Sequence, residues 1–381
     1  MMATDPLPLA QALIRAQSVT PASPAVFDIV EAALTDAGFA VERVTFAAEG
    51  STPVENLYAT RGNGGRHLAL AGHVDVVPAG PAEAWTHPPY AAAIDGDTLY
   101  GRGAQDMKGA IAAMIAAASD WAAADGPGRV SFVITGDEEG VAVNGTEPLM
   151  NWCAERTRFD AAIVGEPTSR ERLGDTIKVG RRGSLSATVT VTGRQGHVAY
   201  QHLADNPVPA LLAIGTALNA TLDDGSGPFL PSNLEIVSID IGNPAWNVIP
   251  GSAALRFNVR FNDRWTRESL KTELTARIQA AAPGARVAID WESGHGDAFI
   301  TRDDALIAAV TRAVEETTGV TPELNTGGGT SDARFIKDHC PVVEFGAVGN
   351  TMHQADERTS VEELRRLART YRALIDAVVA E

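Results

Sequence analysis

The sequence has few cysteines, a shortage of positive charge and no long apolar run. Cys153 and Cys340 are its two cysteines, too few for a disulfide framework or a thiolate-rich zinc site, and a reducing cytoplasm is expected. The net charge of -17 makes nucleic acid an unexpected partner, because phosphate binding requires a basic face. No apolar stretch is long enough to span a bilayer, so no membrane association is predicted. The N-terminal segment lacks the basic start and apolar core of an export signal.

What the sequence does contain is the composition of an ordinary globular protein, with 45% hydrophobic and 21% charged residues. Its 381 residues exceed what one core usually fills, so two domains are expected. The acidity would repel an anionic substrate at long range, and such a substrate would require arginines gathered locally. Solubility alone explains the acidity equally well.

Short apolar runs alternate with helical patterns in the outer parts of the chain, which predicts an α/β fold with a mixed, mostly parallel sheet. The predicted elements are strands at 67–77, 129–135, 160–164 and 341–347, an Ala-rich buried helix at 108–124, and a final helix after a capping box of Ser360 and Glu363.

The middle of the chain follows the order β-α-β-β-α-β, which predicts a ferredoxin-like α+β domain. Its predicted elements lie at 184–192, 207–222, 233–241, 253–261, 266–282 and 285–291. Residues 183–293 are therefore expected to form a domain inserted into a discontinuous one, 1–182 with 294–381. The junctions are placed near Gly183 and Gly294.

Polar side chains follow four predicted strands, at the end where open α/β sheets bind ligands. Two histidines and several carboxylates form a donor set suited to zinc, cobalt or manganese. Two histidines are few for two ions, so a bridging carboxylate is the economical solution, and Asp106 is central in chain order. The candidates are His73, Asp75, Asp106, Glu138, Glu139, Glu166 and His353.

Two pairs among these candidates suggest a division of labour. Asp75 lies two residues after His73, on the same side of a strand, where its carboxylate can accept the second ring N–H. Glu138 and Glu139 point apart on an extended strand end, so one can bind metal while the other transfers protons. Each motif alone is more often a surface or turn feature. Their joint placement at strand ends indicates metal-assisted hydrolysis.

Four longer motifs resemble those of the di-zinc aminoacylase and carboxypeptidase family, and five others resemble its desuccinylase branch. The first set is GHVDVVPAG (72–80), LYGRGAQDMKG (99–109), GDEEG (136–140) and GEPT (165–168). The second is KVGRRGSL (178–185), GRQGHVAY (193–200), NVIP (247–250), LNTGGGTSDARFI (324–336) and VEFGAVGNTMH (343–353). The resemblance covers nearly the whole chain.

This resemblance implies zinc-dependent hydrolysis of N-succinyl-L,L-diaminopimelate in lysine and diaminopimelate biosynthesis. A related acyl-amino-acid hydrolase, such as an acetylornithine deacetylase, is the nearest alternative. A non-catalytic metal- or peptide-binding protein is a further alternative, which Glu138 argues against because such a protein needs no proton-transfer group.

The resemblance also implies a role for each matching residue, with two zinc ions per chain and cobalt as a possible substitute. The ligands would be His73 and Glu166 for one ion, Glu139 and His353 for the other, and Asp106 as the bridge. Glu138 would be the general acid/base, and Asp75, as the partner of His73, is a further candidate catalytic residue. His197 would polarise the scissile carbonyl from the partner subunit. A homodimer formed through an inserted lid and dimerisation domain is therefore expected.

Contacts to the small anionic substrate are implied at Arg181, Ser184, Tyr200, Asn247, Arg260 and Thr330. Arginine pairs carboxylates bidentately, which lysine cannot do. The chain departs from the family pattern at Gln105, Gln201, Trp246 and Gly349, and these departures affect the expected substrate contacts.

Overall fold

The computed structural model describes residues 3–227, 229–292 and 296–380. Within them the chain forms two compact units. The first unit comprises the described residues up to Val179, then Thr301–Asn325 and those from Ser331 onward; the second comprises Gly180–Ile300, where described, and Thr326–Thr330.

An eight-stranded sheet is the centre of the first unit. Four of its seven pairings are parallel and three are antiparallel, which confirms the predicted α/β class with a mixed, mostly parallel sheet. From one edge to the other its strands are Ala40–Phe46, Val54–Gly62, Arg129–Thr135, His67–His73, Ala161–Val164, Val342–Glu344, Thr176–Lys178 and Glu323–Asn325.

Burial explains why the central elements form where they do. Every residue of the strand His67–His73 is buried, as its continuous small and apolar sequence predicts. The helix Lys108–Ala123 is buried along most of its length, because its alanines and glycine allow close packing. It packs against the final helix Val361–Val379. The N-cap Ser360 accepts a hydrogen bond from the Glu363 N–H at 3.1 Å, so one half of the predicted capping box is present.

Some predicted boundaries were too long. The strand predicted at 67–77 ends at His73, after which the Val74 N–H donates to the Thr135 carbonyl at 3.0 Å and the chain leaves the sheet. The strand predicted at 341–347 is Val342–Glu344. The other helices of this unit are Leu7–Arg15, Pro24–Asp36, Thr146–Ala154, Asp304–Thr318 and Ala333–Ile336, with a 3-10 turn at Ala82–Ala84 and a small sheet of Ala93–Asp95, Thr98–Tyr100 and Arg358–Ser360.

The second unit has the predicted order β-α-β-β-α-β. Its elements are Gly183–Thr192, Pro207–Leu218, Asn233–Asp240, Ser252–Phe261, Arg267–Ala281 and Arg286–Trp291. The four strands form an antiparallel sheet in the order second, third, first, fourth, which is the ferredoxin-like arrangement. Alternate residues of Gly183–Thr192 are buried, because the two helices pack against one face of the sheet and leave the other face uncovered by them.

Smaller elements complete this unit, and one predicted junction lies near its start. The predicted junction at Gly183 lies just inside the unit, while Ser293 and Gly294 lie outside the described residues. The small elements are the strand pairs Gly196–His197 with Val248–Ile249 and Gly180–Arg181 with Phe299–Ile300, and the 3-10 segment Val198–Leu203. Among the described helices of the whole chain, none combines the length and apolar character needed to cross a bilayer.

Candidate active site

Four neighbouring parallel strands bring the predicted ligands to one edge of the large sheet. These strands are consecutive in the sheet, so their carboxyl ends meet where α/β folds bind ligands. His73 is the last residue of its strand. Glu139 and Glu166 follow the strands Arg129–Thr135 and Ala161–Val164 on either side of it, and His353 follows Val342–Glu344 through a loop. Asp106 precedes the helix Lys108–Ala123.

Two groups of potential ligands share Asp106. His73 Nε2 lies 3.1 Å from Asp106 Oδ1 and 3.8 Å from Glu166 Oε1. His353 Nε2 lies 3.2 Å from Asp106 Oδ2 and 3.0 Å from Glu139 Oε1. The ligand atoms of each group lie within 4.8 Å of one another, so each group is compact enough to hold one cation. Asp106 offers one oxygen to each, as a bridging carboxylate requires.

The electrostatics of this cluster call for positive charge. Burial disfavours a proton on His73, but the surrounding carboxylates, Asp106 first, outweigh it and hold the pKa of His73 well above its usual value. Hydrogen bonds that His353 donates to Asp106 and Glu139 raise the pKa of His353 to about 10. Desolvation would raise the pKa of Asp106, yet the two histidines keep it below its usual range. Bound cations would satisfy the same carboxylates and leave both imidazoles neutral, as ligands must be.

Asp75 contacts His73 differently from the prediction. His73 Nδ1 lies 3.0 Å from the Asp75 backbone carbonyl and 3.6 Å from its carboxylate. The carboxylate instead accepts hydrogen bonds from the main-chain N–H groups of Glu138 at 3.2 Å and Glu139 at 3.0 Å. The backbone carbonyl therefore orients the imidazole, and the Asp75 side chain shapes the turn that carries both glutamates.

Glu138 belongs to neither ligand group. It lies in a turn after Arg129–Thr135 and not on an extended strand end as predicted, although its side chain and that of Glu139 still have separate environments. Desolvation raises the pKa of Glu138 to about 8, and the nearby negative charges of Asp332 and Glu139 add to this effect. A carboxyl group in such surroundings holds a proton more readily than an ordinary glutamate does.

His353 has a backbone conformation that sequence reasoning did not predict. Its φ is +62°, in the left-handed region that costs a non-glycine residue of the order of 1 kcal/mol or more. The residue is nevertheless not glycine, and its imidazole belongs to one of the two potential ligand groups. Such positive φ values concentrate at functional sites.

The second unit contains His197 with two of the predicted substrate contacts. The Ala199 N–H donates to His197 Nδ1 at 3.1 Å, so the neutral imidazole carries its proton on Nε2, which can donate to a carbonyl oxygen. The Tyr200 ring lies 5.6 Å from the imidazole. The Asn247 carbonyl accepts from the Val198 N–H at 3.1 Å. His197 and Tyr200 are both exposed.

The other predicted substrate contacts form two pairs in this unit. Ser184 lies opposite Arg260 on adjacent strands. Arg181 Nη1 donates to the Gly329 carbonyl at 2.8 Å, next to Thr330. Burial lowers the pKa of Arg260, and the neighbouring positive charge of Arg182 lowers it further. Arg182 was not among the predicted contacts, although it lies in the same KVGRRGSL segment.

Three buried polar residues of the first unit were also missed by sequence reasoning. Asp332 is 2% exposed and accepts from the Thr146 hydroxyl at 2.6 Å. Glu357 and Arg102 are 0% and 2% exposed and form an ion pair at 2.5 Å. The only signal for Glu357 in the sequence is its place four residues after His353, and that spacing does not reveal burial.

The departures from the family pattern lie in different surroundings. The side chain of Gln105 is buried and accepts hydrogen bonds from the Thr351 N–H and hydroxyl, both at 2.8 Å. A Cβ on Gly349 would lie 2.3 Å from Met352 Cε and 3.0 Å from the Pro167 carbonyl, so the glycine avoids a close approach. Trp246 is fully exposed. Gln201 lies in the 3-10 segment Val198–Leu203.

Comparison with known proteins adds a family and full-length relatives. Residues 69–377 match the sequence model of peptidase family M20/M25/M40. The chain is 52% identical over 385 residues to the succinyl-diaminopimelate desuccinylase of Rhodopseudomonas palustris strain HaA2, covering 98% of this chain and 99% of the relative. It is 51% identical over 389 residues to the enzyme of the same name from Nitrobacter hamburgensis, covering 100% of both chains.

Solved structures with low sequence identity share the fold. The M20 family metallo-carboxypeptidase Sso-CP2 from Sulfolobus solfataricus superposes with a TM-score of 0.80 at 15% identity, covering 99% of this chain and 100% of the other. A dinuclear metal-binding peptidase of the M20 family from Bacillus subtilis superposes with a TM-score of 0.72 at 16% identity, covering 98% and 97% of the two chains. At these identities the likeness describes architecture alone.

Proposed function

The chain belongs to peptidase family M20/M25/M40, and from that membership we propose that it is a metal-dependent amide hydrolase acting on N-succinyl-L,L-diaminopimelate. The products are succinate and L,L-diaminopimelate, as in lysine and diaminopimelate biosynthesis. The observation that carries the reaction class is the meeting of His73, His353, Glu139 and Glu166 around a shared Asp106. The substrate follows from relatives named succinyl-diaminopimelate desuccinylase over nearly the whole chain.

We propose that the two groups hold two zinc ions. His73 and Glu166 would bind one, Glu139 and His353 the other, and Asp106 both. Imidazole nitrogen with carboxylate oxygen is a donor set that zinc accepts and cobalt can replace. Bound there, the ions would polarise the amide carbonyl and lower the pKa of water.

Glu138 is proposed as the group that moves the proton. A carboxylate at this position can accept a proton from the attacking water and deliver it to the departing amide nitrogen. Its position outside both ligand groups leaves its oxygens available for this transfer. The Asp75 carboxylate supports the step by holding the main chain of Glu138 and Glu139.

Substrate binding is proposed for residues of the second unit. Its candidate anion contacts are Arg181 and Arg260, which would pair with substrate carboxylates, as an acidic chain requires. The Nε2–H of His197 would donate to the carbonyl oxygen as negative charge develops on it. Ser184, Tyr200, Asn247 and Thr330 would line the pocket.

A homodimer through the inserted domain is proposed from exposed apolar residues at a sheet edge. The strand Asn233–Asp240 lies at the edge of its sheet, where unpaired backbone groups can join a second chain. Val237 and Ile239 on this strand are 66% and 52% exposed, and Leu212 on a neighbouring helix is 57% exposed. A second copy of the chain would cover these residues and bring its His197 to the partner's reaction centre. A cytoplasmic location remains a prediction.

One assay separates the proposed substrate from its nearest alternative. The zinc-loaded protein is supplied with N-succinyl-L,L-diaminopimelate and, in parallel, with N-acetylornithine, and kcat/KM is measured for both. We expect kcat/KM to be higher for N-succinyl-L,L-diaminopimelate. The expected factor is about ten- to a hundredfold or more for each arginine–carboxylate pair that N-acetylornithine cannot form. Equal values, or a preference for the acetyl substrate, would refute the proposed specificity. Hydrolysis of neither substrate after confirmed metal loading would refute the function itself.

A further inference from the structure

A buried carboxylate outside the ligand set holds the main chain at the bridging ligand. Glu357 is 0% exposed, and its Oε1 accepts hydrogen bonds from the N–H groups of Gln105 at 2.9 Å and Asp106 at 3.1 Å. The Glu357 backbone carbonyl accepts from the Gly101 N–H at 2.9 Å. The loop that ends in Asp106 is therefore attached at several points to a residue four positions beyond His353.

The second oxygen of Glu357 extends these contacts to other parts of the site. It accepts from Arg102 Nη1 at 2.5 Å. Arg102 Nη2 lies 3.4 Å from the backbone carbonyls of both Pro78 and His353. Through Arg102, Glu357 thus connects the loop after His73, the loop before Asp106 and the backbone of His353.

Gln105 adds a second connection between the same two ligand loops. Its side-chain oxygen accepts from the N–H and hydroxyl of Thr351, and its amide nitrogen donates to Asn350 Oδ1 at 3.0 Å. Both partners lie just before His353. We call Arg102, Gln105 and Glu357 the buried clamp.

We propose that Glu357 is a positioning residue whose acceptance of the Gln105 and Asp106 N–H groups keeps the bridging carboxylate and His353 at the separation needed for a pair of metal ions. This inference rests on the two-ion site proposed above. The reason is geometric: His353 has a half-exposed side chain on a loop with a left-handed residue, and hydrogen bonds to other residues must hold that loop. Partners of this kind commonly change metal affinity about 10- to 100-fold when removed.

A pair of double variants isolates the proposed acceptor from the buried charge. Removing Glu357 alone would leave Arg102 buried without its counter-ion, which destabilises a protein whatever the role of the pair. Arg102→Met/Glu357→Gln removes both charges and keeps an acceptor for the two N–H groups. Arg102→Met/Glu357→Leu removes both charges and the acceptor. Asn262→Leu, at a buried polar residue of the other unit, serves as a control for general destabilisation.

The readout is metal binding, measured by titration calorimetry on metal-free protein, with the visible spectrum of the cobalt-loaded form. We expect the Gln double variant and Asn262→Leu to bind two ions with affinities within about threefold of wild type. The Leu double variant should bind the second ion about 10- to 100-fold more weakly, with an altered cobalt spectrum.

Each alternative outcome has a defined meaning. If the Leu double variant binds both ions as the wild type does, or if the Gln double variant weakens as much as the Leu variant, Glu357 does not position the pair. If the Leu double variant fails to fold, Arg102→Met/Glu357→Met, which also lacks the acceptor, replaces it and must weaken the second ion likewise. If the wild type binds a single ion, both the two-ion site and the clamp proposal are wrong. If the wild type binds two ions and the variants bind them equally well, the clamp proposal alone is wrong.

Discussion

Replacing Arg260 by methionine should reduce catalysis without reducing stability. Arg260 lies on the strand Ser252–Phe261, opposite Ser184, and both burial and the charge of Arg182 lower its pKa. Positive charge is therefore already disfavoured at this point in the free protein. Under the proposed function, an anion that arrives with the substrate offsets this cost, and removing the charge should leave the unfolding midpoint unchanged or raise it.

The size of the catalytic loss follows from the strength of one charged contact. A charge-assisted hydrogen bond contributes about 1.5–3 kcal/mol, and more where the guanidinium fork engages both oxygens. At about 1.4 kcal/mol per tenfold change, kcat/KM on succinyl-diaminopimelate should fall about ten- to a hundredfold. The field of the acidic chain opposes substrate binding only within a screening length of about 8 Å at physiological salt.

A control on the same strand and a set of analogues test the reasoning. Arg256 lies four residues earlier on the same face and is 60% exposed beside Asp240, so Arg256→Met should leave kcat/KM within about twofold because surface pairs contribute little. Analogues amidated at one carboxylate at a time should identify one for which Arg260→Met has little further effect. If Arg260→Met loses the same factor on every analogue, or unfolds more easily than wild type, the arginine supports structure and does not bind substrate.

The remaining predictions concern proton transfer, pH stability and assembly. Glu138→Ala should retain two bound ions by elemental analysis yet lose about 10²–10⁴ in kcat, whereas Glu139→Ala should lose one ion; wild-type kcat in the first variant would refute the assignment. Burial lowers the pKa of His67 from 6.5 to about 4, so between these pH values the unfolded chain binds a proton that the folded protein does not. The free energy of unfolding, measured with urea, should therefore fall by up to about 3 kcal/mol as the pH is lowered from 6.5 to 4. His67→Gln should flatten that part of the stability curve, and an unchanged slope would contradict the prediction. Sedimentation should give a dimer, and mixing inactive His197→Ala with inactive Glu138→Ala should restore part of the activity; no recovery despite proven subunit exchange would mean that His197 acts within its own chain.

Local patterns in the sequence were enough to predict most regular elements. The strand Arg129–Thr135 and the start of the helix Lys108–Ala123 lie where predicted, because continuous apolar or alanine-rich runs have only one way to be buried. The strand predicted from His67 was too long because Val74 and Val76 are buried outside the sheet. The alternation of polar and apolar residues at 184–192 likewise indicated the strand Gly183–Thr192.

The candidate ligands could be selected from the sequence because each follows a predicted strand, and the rule for open α/β sheets places such residues together. Their roles and the assignment of Glu138 came from the resemblance in the motifs. Spacing could not indicate which oxygen of Asp75 lies closer to His73. Nδ1 of His73 is 3.0 Å from the backbone carbonyl and 3.6 Å from the carboxylate, a difference too small to predict from residue spacing.

The fold class, the order of elements in both units and the residue types that can bind metal could all be predicted from the amino-acid sequence. Four other features could be seen only in the folded chain. Glu357 is buried against the Asp106 loop, Gln105 contacts Thr351, His353 has positive φ, and Arg182 lies beside Arg260. The physical reason is range. Periodicity and caps depend on neighbours a few positions apart in the chain, whereas these contacts join residues that become neighbours only when the chain packs.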